Sequence, residues 1–268
     1  MTFVGLATKY RPKKFQQIVG QPDTAIVREI FRSTDSIPPL LLFCGPSGVG
    51  KTTIARIIAA TVNCSNQDTS GEPCGSCTDC LAVFSDKHIN VYEIDAASYG
   101  GTEALRDLVS KAHINSTGVN TFIIDEAQSI SSQGWNVLLK TFEEPPPNCL
   151  FILLTSEPRK VPSKIRTRAL SFNFKHVSPK IIKNYLTLLV EKTNINISLD
   201  DINSIVNHCE GSLRNAFMMV EQCSLSEFTA EELFSNRDLS VDYFISMIKK
   251  DYAGTLTIIE SWWGEIGD

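Results

Sequence analysis

The chain has 268 residues, 43% of them hydrophobic and 21% charged, with a formal net charge of −5. Such a length and apolar content suit two compact domains with a sizeable core and a fragment of a third. The negative balance excludes a chain whose whole surface grips nucleic acid, although a local basic face is compatible with it. No apolar run approaches the roughly 18 residues of a membrane span.

The N-terminus, "MTFVGLATKYRPKKF", places its basic residues after its apolar ones. A secretory signal has the reverse order, so the expected location is the cytoplasm. The first strand-like run is Leu40–Phe43. It leads into Gly45-Pro46-Ser47-Gly48-Val49-Gly50-Lys51-Thr52, which fits G-x-x-x-x-G-K-[ST]. Glycines let a backbone wrap closely around an oxyanion, with its N–H groups turned inward. A helix over Thr52–Val62 would present its positive end to the phosphates. Lys51 is placed to reach the β- and γ-phosphates, and the Thr52 hydroxyl to take Mg²⁺.

Cysteines follow at C-x9-C-x2-C-x2-C spacing: Cys64, Cys74, Cys77 and Cys80. The turns of "CGSCTDC" bring three thiolates together, and Cys64 returns from the end of the preceding helix as the fourth. Four sulfur ligands suit a closed, tetrahedral, structural Zn²⁺ site, with free thiols or an iron–sulfur cluster as the alternatives. The zinc module spans about 63–82. Cys44, Cys149, Cys209 and Cys223 stand among apolar neighbours and read as buried thiols.

Further strand-like runs are "VYEI" at Val91–Ile94, "TFIID" at Thr121–Asp125, "LFILLTS" at Leu150–Ser156 and "LSFNF" at Leu170–Phe174. Several are apolar at consecutive positions, as in strands covered on both faces. Helical patterns at Thr102–Ala112 and Gly134–Phe142 separate them. Alternating strands and helices predict a parallel sheet with right-handed crossovers. Asp125 and Glu126 then fall at the C-terminal edge of that sheet, where ligands bind. Asp125 would hold Mg²⁺ through water, and Glu126 would polarise an attacking water.

This α/β domain covers 1–177. Ser178-Pro179 is a helix start with Pro at the first position. Helical spacing then continues, with two helices broken at Gly211, giving a small all-α domain over 178–225. A basic window free of Asp and Glu runs from Pro158 to Val190, with Arg159, Lys160, Lys164, Arg166, Arg168, Lys175, Lys180 and Lys183. A solvated face explains it as well as a nucleic-acid contact does. His88, His113, His176 and His208 are isolated and receive no role.

Taken in order, "ATKYRPKKFQQIVGQ", "GPSGVGKTT", the four cysteines, "EIDAASYGG", "IIDEAQ", "LLKTFEEPP", "VPSKIRTRALSF" and "EGSLRNAF" resemble the gamma/tau subunits of bacterial DNA polymerase III. These are AAA+ ATPases of the sliding-clamp loader, and the likeness covers about residues 5–225. It implies an AAA+ P-loop NTPase fold with a parallel sheet, an inserted zinc-binding module and a small all-α lid. It also implies ATP, Mg²⁺ and structural Zn²⁺ as cofactors. Thr53 joins Gly45–Thr52 in the nucleotide-binding set, and Arg11, Pro12 and Val19 line the adenine and ribose pocket. Thr155 matches the first sensor of the γ-phosphate and Arg214 the second, carried by the helical domain. Arg168 stands where the family has an arginine that reaches the neighbouring subunit's ATP. The family's DNA-facing helices fall around 100–112 and 130–142, where Lys111 and Lys140 are weak candidates.

Three departures from the family pattern are visible. Thr167-Arg168-Ala169 replaces Ser-Arg-Cys, "DEAQ" replaces Asp-Glu-x-His, and residues 226–268 are the start of a helical collar that is incomplete. The implied function is that of an ATP-hydrolysing motor subunit that opens the sliding clamp and loads it on primed DNA. Its implied partners are delta, delta-prime, further gamma/tau copies, the clamp and the DNA, with no membrane. The alternatives are a nucleotide-bound, non-hydrolysing scaffold subunit and an AAA+ branch-migration helicase. No polymerase activity is expected.

Overall fold

The computed structural model describes residues 5–32, 37–67, 70–99, 101–114, 117–193, 195–226, 229–231 and 233–234. The expected start of a collar, 226–268, falls almost wholly outside them. The chain divides into two compact units, Met1–Ile181 with Gly211–Arg214, and Ile182–Glu210 with Asn215–Asp268.

The first unit holds helices α1 (Leu6–Lys9), α2 (Thr24–Ile30), α3 (Lys51–Val62), α4 (Thr78–Phe84), α5 (Ala96–Tyr99), α6 (Thr102–Ala112), α7 (Ser132–Glu143) and α8 (Ser163–Arg166). Its strands are β1 (Leu40–Cys44), β2 (Val91–Asp95), β3 (Asn120–Asp125), β4 (Cys149–Thr155) and β5 (Leu170–Asn173). The strands pair in the order β2-β3-β4-β1-β5, all parallel.

Side chains alternate across a strand, so each inner strand feeds two cores. Leu41, Phe43, Ile123, Ile152 and Leu154 face one side, where Ile54, Ile57 and Ile58 of α3 pack. Leu40, Leu42, Phe122, Ile124, Phe151 and Leu153 face the other, against Leu105 and Leu108 of α6 and Trp135, Leu138 and Phe142 of α7. This two-sided cover explains the unbroken apolar runs of β1 and β4, which are buried at every position. The edge strands differ. Every residue of β2 keeps some exposure, and in β5 only Phe172 is buried. An aromatic row crosses the second core, with Phe122 stacked between Tyr92 and Phe151 at centroid distances of 5.1 and 4.9 Å.

The sheet fixes the site. β1 lies between β4 and β5, with Cys44 abreast of Thr155, and β3 pairs Ile124 with Leu153. The C-terminal ends of β1, β3 and β4 therefore open into one crevice, the usual ligand edge of an open parallel sheet.

The second unit is helical. α9 (Pro179–Thr193) enters it from the first unit, α10 (Leu199–His208) lies within it, and α11 (Leu213–Leu225) begins at the Gly211–Arg214 segment. Ser198 caps α10, exchanging hydrogen bonds with Asp201 in a capping box. The Asp201 carboxyl is held below its ordinary range by the Ser198 hydroxyl first and the Ala230 N–H next. Tyr185 meets Phe217 edge-on at 5.9 Å.

Phe122→Ala removes the middle of the aromatic row from a fully buried position. It is expected to lower stability by about 3–5 kcal/mol, read as a shifted urea midpoint by circular dichroism. A loss below about 1 kcal/mol would mean that the core collapses into the space and that the stacked row is not a unit.

Candidate nucleotide site and metal centre

The loop between β1 and α3 depends on glycine at two close approaches. Gly45 has φ +148°, and a Cβ there would stand 2.3 Å from the Phe174 carbonyl oxygen. Gly48 has φ +76°, and its Cβ would meet the Ser212 Oγ at 2.1 Å and the Arg214 Cβ at 3.3 Å. Ser47 is exposed and Pro46, Gly50, Thr52 and Thr53 are partly buried, while Val49 anchors the loop in the core. α3 starts after Gly50, which has no side chain to cap the first N–H groups. Helix N-termini of this kind favour anions.

Lys51 is 7% exposed, and its Nζ donates to the Gly45 and Pro46 carbonyls at 2.7 and 2.8 Å. Burial pushes its pKa down, Asp125 and then Glu126 pull it up, and Arg214 lowers it. Thr52 Oγ1 donates to Asp125 Oδ2 at 2.8 Å, while the other Asp125 oxygen accepts the Glu126 N–H at 2.8 Å. Asp125 ends β3, and Glu126 turns the chain with φ 50°.

Beyond that turn, Gln128 joins three groups. Its Nε2 donates to Glu126 Oε2 and to Ser156 Oγ, the latter at 3.1 Å. Its Oε1 accepts from Thr155 Oγ1 at 2.7 Å. Thr155 Oγ1 also accepts the Glu157 N–H at 3.0 Å, which fixes the hydroxyl at the end of β4. An amide offers both donor and acceptor, so one side chain can hold a carboxylate and a hydroxyl together. Sequence reading registered this position only as a departure from Asp-Glu-x-His and gave it no role.

The N-terminal segment meets the loop through a second glutamine that sequence reading passed over. Gln21 Nε2 donates to the Lys175 carbonyl at 2.7 Å and the Val49 carbonyl at 3.3 Å, and its Oε1 accepts the Lys175 N–H at 3.2 Å. Pro12 and Val19 are partly buried in this segment. The Arg11 guanidinium has its pKa lowered by burial first and by Arg56 next, with Glu93 opposing and Arg214 adding. Arg56 itself forks onto Glu93 at 2.7 and 2.9 Å and reaches Asp86 at 3.0 Å. That bidentate pair tethers α3 to β2.

The two arginines expected to act on ATP occupy different places. Arg214 stands beside Gly48 and within the electrostatic reach of Lys51. Arg168 lies two residues before β5, whose Leu170 pairs with Leu41 near the start of β1, away from the phosphate loop. It contacts Glu143 Oε1 at 3.2 Å and the Lys164 carbonyl at 3.0 Å.

The sulfurs of Cys64, Cys74, Cys77 and Cys80 all lie within 4.8 Å of one another, with two pairs at 3.9 Å. A Zn–S bond of about 2.3 Å puts tetrahedral sulfurs about 3.8 Å apart, so the four residues fit that ion. Backbone N–H groups point at the sulfurs: Cys74 to Cys64 at 3.4 Å, Ser76 and Cys77 to Cys74 at 3.4 and 3.2 Å, and Cys80 to Cys77 at 3.4 Å. The Ser76 and Cys77 N–H groups lower the Cys74 thiol to about 6. Burial raises Cys77, yet the Cys80 N–H and further hydrogen bonds leave it lowered. Cys64 and Cys80 are pushed up by burial. When bound, zinc would neutralise the thiolates and lock the module. Cys44, Cys149, Cys209 and Cys223 are buried.

Residues 24–178 match a family model described as the DNA polymerase III delta subunit. The DNA polymerase III subunit gamma/tau of Mycoplasma genitalium is 36% identical over 239 residues, which are 88% of this chain and 40% of that protein. The subunit tau of Bacillus subtilis is 33% identical over 224 residues, 83% of this chain and 40% of that protein. The chain therefore spans about 40% of the length of these relatives. Among solved structures, the Thermotoga maritima RuvB Holliday junction branch migration motor superposes with a TM-score of 0.59 at 13% identity, over 87% of this chain and 73% of that one. A point mutant of the same RuvB gives 0.63 at 14% identity, over 90% of this chain and 80% of that one. At such identities the likeness is one of fold, and the fold is that of AAA+ P-loop proteins.

In metal-free protein, iodoacetamide is expected to label Cys74 first, at a rate half-maximal near pH 6, because the thiolate is the nucleophile and exists above the pKa. Cys80 should lag until far more alkaline pH. Peptide mass spectrometry across a pH series reads both, and equal labelling of the two would contradict the hydrogen-bonded arrangement.

Proposed function

The chain belongs to the DNA polymerase III subunit family of the matching model, and from that premise we propose that it is an ATP-hydrolysing motor subunit of the clamp loader. It would open the sliding clamp and load it on primed DNA in the cytoplasm, with delta, delta-prime and further gamma/tau copies as partners. The observation that carries this reading is the connected polar chain at the crevice, from Thr52 to Asp125 and from Glu126 through Gln128 to Thr155. A binding-only site has no use for a second carboxylate held toward the sensor position.

The residues divide the work. The loop N–H groups and Lys51 bind and neutralise phosphate oxygens. Arg11, Pro12 and Val19 hold the base and ribose. Thr52 and Asp125 would hold Mg²⁺, which when bound screens the phosphate charge. Glu126 orients water and accepts its proton. Thr155 and Arg214 contact the γ-phosphate from the chain's own side, and Arg168 serves a neighbour's nucleotide. An arginine supplied in trans makes turnover depend on assembly. DNA would be held by phosphate contacts rather than base reading. The likeness to the branch-migration motor is one of fold, and the four-cysteine module and "EIDAAS" segment favour the clamp loader.

ATP turnover by the chain with the other loader subunits, clamp and primer–template is expected to exceed turnover alone. Arg168→Ala should remove that stimulation, by about 10³-fold or more. Turnover indifferent to partners, DNA and the substitution would sink the motor reading. Separately, Glu126→Gln should lower turnover at least about a hundredfold. Gln128→Ala should lower it up to about a hundredfold through misplaced carboxylate, with nucleotide affinity nearly unchanged. Wild-type turnover in both would remove Glu126 and Gln128 from the chemistry.

A further inference from the structure

Glu72 lies between Cys64 and Cys74 in sequence, is 4% exposed, and yet is not one of the groups that gather at the sulfur cluster. A buried carboxylate needs partners. Its Oε2 accepts the Phe15 N–H at 2.7 Å, its Oε1 accepts the Gln16 N–H at 3.0 Å, and the Arg28 guanidinium stands 3.8 Å away. Phe15–Gln17 is a single 3₁₀ turn, and the first N–H groups of a helical turn have no partner within it. Glu72 supplies that partner from 56 and 57 residues along the chain.

Other contacts follow the same seam. Gln67 Nε2 donates to the Phe31 carbonyl at 2.9 Å, and a Cβ at Gly71 would come within 3.0 Å of the Arg28 carbonyl and the Arg32 Cα. Lys13 lies over the Phe84 ring at 5.7 Å. Phe15 shares its core with Val49 and Cys80, and Cys64, Cys74 and Cys77 pack against it. Six residues after Phe15, Gln21 grips the Val49 carbonyl of the phosphate loop. A continuous chain of contacts thus runs from the cysteine module through the N-terminal segment to the phosphates' cradle.

We propose that the cysteine module clamps the nucleotide segment, so that metal at the four cysteines and nucleotide at the phosphate loop stabilise each other through Glu72. The proposal rests on the nucleotide-binding reading above. Its physics is loop closure. Glu72 stands two residues before Cys74 in the sequence, and a metal that fixes Cys64 and Cys74 shortens the span of chain free to move around it. Without it the carboxylate leaves the Phe15 and Gln16 N–H groups more readily, and the segment carrying Arg11, Pro12 and Val19 loosens. Such coupling is reciprocal by thermodynamic necessity. Glu72 acts here as a positioning residue.

The test uses the full chain, a fluorescent ADP analogue read by anisotropy, and zinc affinity read by competition with a chromophoric chelator. Zinc-loaded protein is expected to bind the ADP analogue about tenfold more tightly than zinc-free protein, and ADP to raise zinc affinity by the same factor. Glu72→Gln, which keeps the size but loses the charge and one acceptor oxygen, should retain a full complement of zinc yet bind nucleotide weakly and show no coupling. The wild-type measurements stand even if the variant fails to fold. Equal nucleotide affinity with and without zinc, or full coupling in a folded Glu72→Gln, overturns the proposal. Zinc-loaded wild type that binds no nucleotide at all overturns the nucleotide reading beneath it.

Discussion

The parallel register of β1, β3 and β4 is the constraint on which the nucleotide crevice depends. Cys44 and Thr155 end abreast, and Ile124 and Leu153 are paired just below Asp125. The chain leaving each strand must therefore enter the same space. The glycine loop leaves β1, the carboxylate pair leaves β3 and the Thr155 hydroxyl ends β4. A one-residue slip in any ladder would reverse which side chains face each core. The two apolar cores thus hold the geometry of the crevice as well as stability, since Ile152 and Leu153 fix β4 from opposite faces.

Within that crevice the charged side chains balance one another. An ammonium as buried as Lys51 is unfavourable alone, and burial does lower its pKa. Asp125 and Glu126 oppose that shift, and two loop carbonyls accept hydrogen bonds from its Nζ. Two carboxylates and one ammonium around a glycine loop form a site of near-balanced charge that an anionic phosphate and its cation could enter together. Charges and dipoles fixed in this way require little rearrangement to accept an ion pair.

What the sequence reveals follows from how local the physics is. The phosphate loop and the cysteine spacing are legible because each function is packed into a few consecutive residues, and the inner strands because their burial leaves apolar runs. The edge strands β2 and β5 are legible only as strands, their half-exposure being set by a neighbour they lack. Gln128, Gln21 and Glu72 escape notice for a different reason. Each is an ordinary polar residue in a polar stretch. Gln21 finds Lys175 across 154 positions and Glu72 finds Phe15 across 57, so the partner that gives each its role is invisible in the local pattern. Arg56 is hidden likewise, as one charge within a mostly buried helix until Glu93 and Asp86 meet it.

The contrast between two ion pairs shows how burial of the carboxylate decides availability, since the Arg168 and Arg28 side chains are about equally exposed, at 44% and 40%. Arg168 pairs with Glu143 while both side chains remain nearly half exposed, at 44% and 47%. Ion pairs in such surroundings contribute at most about 1 kcal/mol, because water solvates each partner and the long side chains resist being fixed. The guanidinium can therefore leave Glu143 with little loss. Glu72 and Arg28 differ, since the carboxylate is 5% exposed and also holds two backbone N–H groups. Removing any of these contacts weakens the support of a buried charge, which is more costly than parting an exposed pair. A weak pair at the surface suits an arginine that changes partners, and a buried carboxylate suits a joint that has to hold.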